Sequence, residues 1–296
     1  MTLPLQPTTV TYPAGAVSGT AVVVHLAPQG DGSTAVLLDS TPCHPIDAAW
    51  PDQGPDHAVI RKNSSAHRVN DCVVAATDGT ELFTGGQIPV KKGTEGWTFA
   101  VAHVVDDDAG LAEGDEVQVE VDETYRAEIS AGHTACHVAS LALNLAMADR
   151  WKKDVRTDGR GVPDFDGLAI DVSRILQNGS VDTYRMGKSL RRKGFITDGV
   201  QEELPELEGA INEALASWVE SGAEVRIERD GEGLTDLRFW VCELPGHTVR
   251  IPCGGTHLSS LKELSAVKVA LSLEDAAGTP VLRMETTATP GLMEGE

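Results

Sequence analysis

Basic residues are scarce in this chain of 296: 24 lysines and arginines stand against 45 aspartates and glutamates, a formal net charge of −21. At long range such a molecule repels polyanions, so a nucleic-acid partner would have to find a local basic patch. Cysteine is sparse too. Cys43, Cys72, Cys136, Cys242 and Cys253 are odd in number and unclustered, which excludes a disulfide scaffold and leaves reduced thiols or metal ligands. No apolar run approaches the roughly 18 residues of a membrane-spanning helix, and the opening MTLPLQPTTVTYP has neither the basic nor the apolar region of a secretory signal. The expected location is the cytoplasm, with no membrane partner. A Ser/His/Asp nucleophile signature and a phosphate-cradling G-x4-G-K are also missing.

What is present is the composition of a folded protein, 41% apolar and 23% charged, in a chain long enough for two cores. Residues 1–122 carry six short strand-like segments with turn signals between them, including Asp78-Gly79, and predict a small β-barrel. Residues 123–296 change character. Helical spacing of Ala135, Val138, Ala139, Ala142, Leu145 and Ala146 predicts a helix with Ser130 as its N-cap. A second helix is expected with Leu204, Leu207, Ile211, Leu215 and Trp218 on one face and Gly222 as its stop. Strand-like segments follow, so the fold class is α+β, with a mainly antiparallel sheet in the second domain.

Within the first of those helices, HTACH sets His133 and His137 four residues apart, on one face, with Ser140 and Asn144 continuing the stripe. Near the end of the chain, PCGGTHLSS sets Cys253 and His257 at the same spacing across two glycines. Either pair alone is more often a polar surface than a ligand pair. Together, one thiolate and three imidazoles form a set suited to zinc at distances of about 2.0 to 2.3 Å. Folding would have to unite them. His133, His137, Cys253 and His257 are therefore the candidate catalytic and metal-ligating residues, with His257 either a ligand or a hydrogen-bonding neighbour of an open site.

These motifs resemble the AlaX-type freestanding editing proteins, the family that shares its domain with alanyl-tRNA synthetase editing. HTACH and CGGTHL look like its H-x3-H helix and CGGTH strand end; LLDSTPCHP, Leu37 to Pro45, looks like its Leu-Asp-x-Thr-x-Phe-Tyr/His-Pro signature; AHVV and GAINEALASWVESGAEV fall in the family's order. The resemblance implies an editing domain over residues 123–296, zinc as cofactor, aminoacylated tRNA as partner, and hydrolysis of the ester joining a wrong amino acid to tRNA.

One segment departs from the family pattern. Where the family has a glycine-rich stretch ending in Gly-Gly-Gln-Pro, this chain reads IDAAWPDQG. In the family that stretch lies close to the amino acid, so Ile46, Asp47 and Ala48 are candidate substrate contacts. Thr41, matching the signature threonine, either bonds a β-hydroxyl or caps the turn before Pro42. The expected substrate is a β-hydroxy amino acid ester: threonine, a threonine analogue such as fluorothreonine (the threonine-analogue branch of the family), or serine.

Two basic clusters are the candidate tRNA contacts: Arg185, Lys188, Arg191, Arg192 and Lys193 in one, Arg150, Lys152, Lys153 and Arg156 in the other. Solvated loop charge is the bland alternative. Two rival functions are a metal-dependent hydrolase of a small ester or amide, and a tRNA-binding module in which zinc is structural. A homodimer is compatible with the sequence.

Overall fold

The structure is a computed structural model that describes residues 3–106, 108 and 110–291. The chain divides into two compact units. One holds the described residues up to Arg126 together with Ile227–Arg238 and Gly254–Thr256; the other holds Ala127–Arg226, Phe239–Cys253 and the residues from His257 on. Two later segments thus belong to the first unit. Helices and mainly antiparallel sheets together make the fold α+β. Among the described residues no helix is long and apolar enough to cross a membrane, and all five cysteines are free.

In the first unit the antiparallel pairings run from Ala58–Lys62 to Glu116–Val121, on to Ser18–Pro28, Thr34–Leu38, Thr98–Val105 and Ser65–Thr77, and from there back to Ala58–Lys62. Every strand of this set has two neighbours, so the pairings close into a ring. Period-2 alternation explains its two apolar layers. Val36, Leu38, Val74, Ala76 and Val101 share one cluster, while Ala35, Leu37, Ala75 and Ala102 from the same strands share another. The hairpin signalled by Asp78-Gly79 joins Ser65–Thr77 to Leu82–Thr84.

The helix carrying HTACH runs over Glu123–Ala146, so Ser130 sits in its interior and is not its N-cap. Its start is set by Asp122, whose carboxylate accepts the Tyr125 N–H at 3.0 Å. Apolar periodicity could not show this turn, because the residue buried there is Arg126, 5% exposed and ion-paired with the buried Asp56.

The second unit contains a four-stranded antiparallel sheet in the order Ile170–Leu176, Gly179–Arg185, Pro280–Pro290, Leu264–Asp275. The helix Val200–Ser221 buries Leu204, Leu207, Ile211, Leu215 and Trp218 as its spacing predicted, and Gly222 ends it in the left-handed region at φ 61°. This helix also blunts the sheet's outer edge. Asn212 both donates to the Val269 carbonyl at 3.0 Å and accepts its N–H at 2.8 Å, and Glu208 accepts the Leu271 N–H at 2.8 Å. In the same unit residues 239–244 pair antiparallel with His247–Pro252, which delivers the chain to Cys253.

The hairpin Ile170–Leu176/Gly179–Arg185 has little apolar alternation, and the sequence did not announce it. Its signal was the turn at Asn178, φ 56°, before Gly179. This turn packs on the long helix so closely that a Cβ at Gly132 would lie 2.2 Å from the Leu176 carbonyl oxygen and 2.5 Å from that of Gly179. Helical spacing therefore presents His133 and His137 from a helix clamped, one residue earlier, against backbone.

Candidate metal centre

His133 and His137 stand one turn apart, their ring centroids 4.9 Å from each other. The ring of His257 is 4.3 Å from His133 and 5.0 Å from His137. Cys253 completes the group: its Sγ lies 3.5 Å from Nε2 of His133 and 3.2 Å from Nε2 of His257. One ligand atom from each of the four residues lies within 4.8 Å of all the others. The two sequence pairs, 116 positions apart, are one cluster.

Metal binding needs neutral imidazoles and a desolvated pocket. His133 is 2% exposed. Burial lowers the His137 pKa to about 4 from 6.5, so its ring is neutral at physiological pH. Nε2 of His137 is buried with no hydrogen-bond partner, an arrangement that is costly unless a cation fills the gap. The donor set and this orphaned nitrogen fit a zinc ion. Trp240, fully buried, packs its ring 4.9 Å from His137 and forms an apolar wall.

The rest of the helix face has other work. Asn144 donates to Asp158 at 3.0 Å and accepts the Asp166 N–H at 2.8 Å, so the stripe beyond His137 anchors the segment that holds these two aspartates. Cys136 is buried, and its thiol faces the Asp182 carboxylate at 3.6 and 3.7 Å. Burial and that charge push its pKa well above 9.0.

In the first unit, Thr41 is 1% exposed and its hydroxyl is engaged. Nδ1 of His103 faces the Val36 carbonyl at 3.1 Å and must carry the proton, so Nε2 accepts the Thr41 O–H at 2.8 Å. Thr41 in turn accepts the Cys43 N–H at 3.1 Å, which is the turn-capping arrangement. Asp47 and Ala48 line a cavity of about 620 Å³ with Gly85, Ile88, Lys92 and Phe99, and Lys92 pairs with Asp47 at 3.1 Å. Ile46, half-buried, donates its N–H to the Cys72 carbonyl at 2.9 Å. No motif marks Gln53. It is 2% exposed and forms two 3.0 Å bonds to Thr256, through the threonine hydroxyl and N–H.

The two basic clusters meet in the second unit. Trp151 bridges Phe195, Lys152 N–H donates to the Gly194 carbonyl at 3.0 Å, and Lys153 Nζ donates to the Arg192 carbonyl at 3.1 Å. Arg185, Lys188, Arg191, Arg192, Lys193, Lys152 and Lys153 are all exposed, with no ion-pair partner among the described residues. Arg150 and Arg156 differ: they pair with Glu203 and Asp164.

No family model matches the chain. It is 28% identical over 256 residues to the alanine–tRNA ligase of Frankia alni, a match covering 84% of this chain and 24% of the ligase. It is 28% identical over 271 residues to the chloroplastic/mitochondrial alanine–tRNA ligase of Micromonas pusilla, covering 91% of this chain and 26% of that one. It is 26% identical over 169 residues to the alanyl-tRNA editing protein AlaX-M of Pyrococcus horikoshii, covering 57% and 61% respectively. The chain thus spans about a quarter of the length of the ligases it matches. These relatives bear out the resemblance to the AlaX-type editing family that the motifs carried.

Proposed function

We propose that this protein is a trans-editing hydrolase that deacylates mischarged aminoacyl-tRNA, with zinc held by His133, His137, Cys253 and His257. The observation that carries this reading is the meeting of the H-x3-H and C-x3-H pairs in one cluster around a buried, unpartnered imidazole nitrogen. The name of the AlaX-M relative, an alanyl-tRNA editing protein, supports it.

Hydrolysis adds water across the acyl carbon–oxygen bond of the ester, releasing amino acid and tRNA. A zinc ion bound here would supply Lewis acidity, orienting the ester or lowering the pKa of a water. The chain's own residues hold the site in place. His133 and Trp240 are buried, and His137 is held neutral by desolvation, ready to offer a lone pair. Arg185, Lys188, Arg191, Arg192, Lys193, Lys152 and Lys153 form one exposed cationic surface for tRNA phosphates, the local patch that a chain of −21 needs.

The substrate is a β-hydroxy amino acid ester: threonine, fluorothreonine or serine, with Ile46, Asp47 and Ala48 as candidate contacts, while the Thr41 hydroxyl is engaged by His103 and the Cys43 N–H. Release of amino acid from matched seryl-, threonyl- and fluorothreonyl-tRNAs tests this, before and after metal removal. Metal-dependent release supports the deacylase. A wide preference for seryl-tRNA overturns the threonine-type assignment, because one methyl group alone is worth only about 1 to 3 kcal/mol.

A second reading draws on the count of ligands. Four protein donors can close a tetrahedral site, and a closed site is structural. In that case the protein holds tRNA without hydrolysing it. His133→Ala distinguishes the two: retained fold with lost hydrolysis supports catalysis, and global unfolding supports structural zinc.

A further inference from the structure

Thr134 lies between two candidate ligands in sequence, His133 and His137, and is fully buried. Its Oγ1 accepts the Leu258 N–H at 3.0 Å and lies 3.4 Å from Nδ1 of His257. The other nitrogen of that ring, Nε2, faces the Cys253 sulfur at 3.2 Å. The imidazole of His257 is therefore held at both ends, by a hydroxyl on one side and by the ligand cluster on the other.

A threonine hydroxyl has one hydrogen and two lone pairs. One lone pair takes the Leu258 N–H. The second faces Nδ1 of His257 and accepts the proton that Nδ1 carries whenever Nε2 is the coordinating nitrogen. That tautomer leaves Nε2 with its lone pair free, pointing where a metal would sit. The reverse tautomer would aim an N–H at the cluster and block coordination by His257. Metal-ligating histidines depend on such outer partners, whose loss typically weakens metal affinity 10- to 100-fold.

We infer that Thr134 is a positioning residue for His257, fixing its ring and keeping the proton on Nδ1 so that Nε2 is presented to a metal beside Cys253. This rests on the reading of the four-residue cluster as a metal centre.

The test is zinc affinity by competition with a chromophoric chelator, on the full chain and on Thr134→Val and Thr134→Ser, with the visible spectrum of the cobalt-substituted forms. The valine variant keeps the shape and removes the hydroxyl; it should bind zinc roughly 10- to 100-fold more weakly and show an altered cobalt spectrum. The serine variant should restore both to within a few-fold, which a purely steric role for the residue would not do. Wild-type affinity in a folded valine variant overturns the role of Thr134 alone. Absence of zinc binding by the unmodified protein overturns the metal centre and this inference with it. Should the valine variant not fold, long-range proton–nitrogen NMR of the metal-free natural protein decides: a proton on Nδ1 of His257 supports the inference, and a proton on Nε2 overturns it.

Discussion

The sulfur of Cys253 lies 3.2 Å from Nε2 of His257, although the two residues are separated by a Gly-Gly-Thr loop that could have sent them apart. Donors that approach one another this closely repel unless a proton or a cation lies between them. A zinc ion answers that requirement for all four members of the cluster at once.

Cys253→Ser should therefore bind zinc on the order of 100-fold more weakly, and His137→Ala likewise, since each removes a direct ligand where even outer partners are worth 10- to 100-fold. Metal content after dialysis against a weak chelator checks this: the natural protein should retain one zinc per chain and the variants far less. Full retention by Cys253→Ser would remove that residue from the ligand set.

Gly132 is the residue that lets the His133 turn meet the hairpin. An alanine there would drive a methyl group to 2.2 Å from one backbone oxygen and 2.5 Å from another. Helix propensity favours alanine by about 1 kcal/mol. Overpacking against backbone typically costs about 1 to 3 kcal/mol and should win, because carbonyls of a paired turn cannot rotate aside. Gly132→Ala is expected to unfold at lower urea concentration than the natural protein, by roughly 1 to 2 kcal/mol, with an unchanged m-value. Increased stability would mean that the turn yields.

Features written in short spacings were legible in the sequence. The two ligand pairs each span four residues, and the buried face of Val200–Ser221 follows from Leu204, Leu207, Ile211, Leu215 and Trp218. What stayed hidden is polar and distant. Arg126 pairs with Asp56 across 70 positions, and Gln53 with Thr256 across 203. Burial of such residues depends on partners that only the fold supplies, and a hydropathy pattern assigns them to the surface. For the same reason the helix was expected to start at Ser130, seven residues after its actual first residue, Glu123. The hairpin Ile170–Leu176/Gly179–Arg185 escaped because Ser173 and Ser180 turn inward to bond Asp182, at 2.6 and 2.7 Å, where apolar residues would have announced a strand.

Burial pushes the Asp166 carboxyl up to about 7 from 3.8, with the neighbouring Asp182 and Asp164 charges adding to the shift. The folded protein then binds more protons at this position than the unfolded chain between about pH 4 and 7. Stability from this group falls as pH rises through that window and levels off above it. Asp166→Asn removes the titration while keeping the shape. Its advantage over the natural protein should be small near pH 4 and grow to on the order of 4 kcal/mol near pH 8. Urea midpoints at the two pH values provide the check. A difference that does not vary with pH would mean that Asp166 is ionised at little cost in the folded state.

Lys153 reaches the Arg192 carbonyl at 3.1 Å and so joins two basic clusters that lie 39 positions apart in the chain. Cations unpaired by carboxylates keep their full field, and phosphates that they neutralise release counterions, so the salt dependence of binding counts them. Arg191, Arg192 and Lys193 replaced together by alanine should raise KM for charged tRNA at physiological salt and leave kcat nearly unchanged, since none of the three belongs to the ligand cluster. The plot of log affinity against log salt should flatten by roughly 2 to 3, about 0.7 to 0.9 for each lost phosphate contact. Lys152→Ala with Lys153→Ala should flatten it further by the same rule. If the slope of the triple variant matches that of the natural protein while its affinity falls, the three residues act on local structure around Phe195. If neither slope nor affinity moves, tRNA approaches from another face.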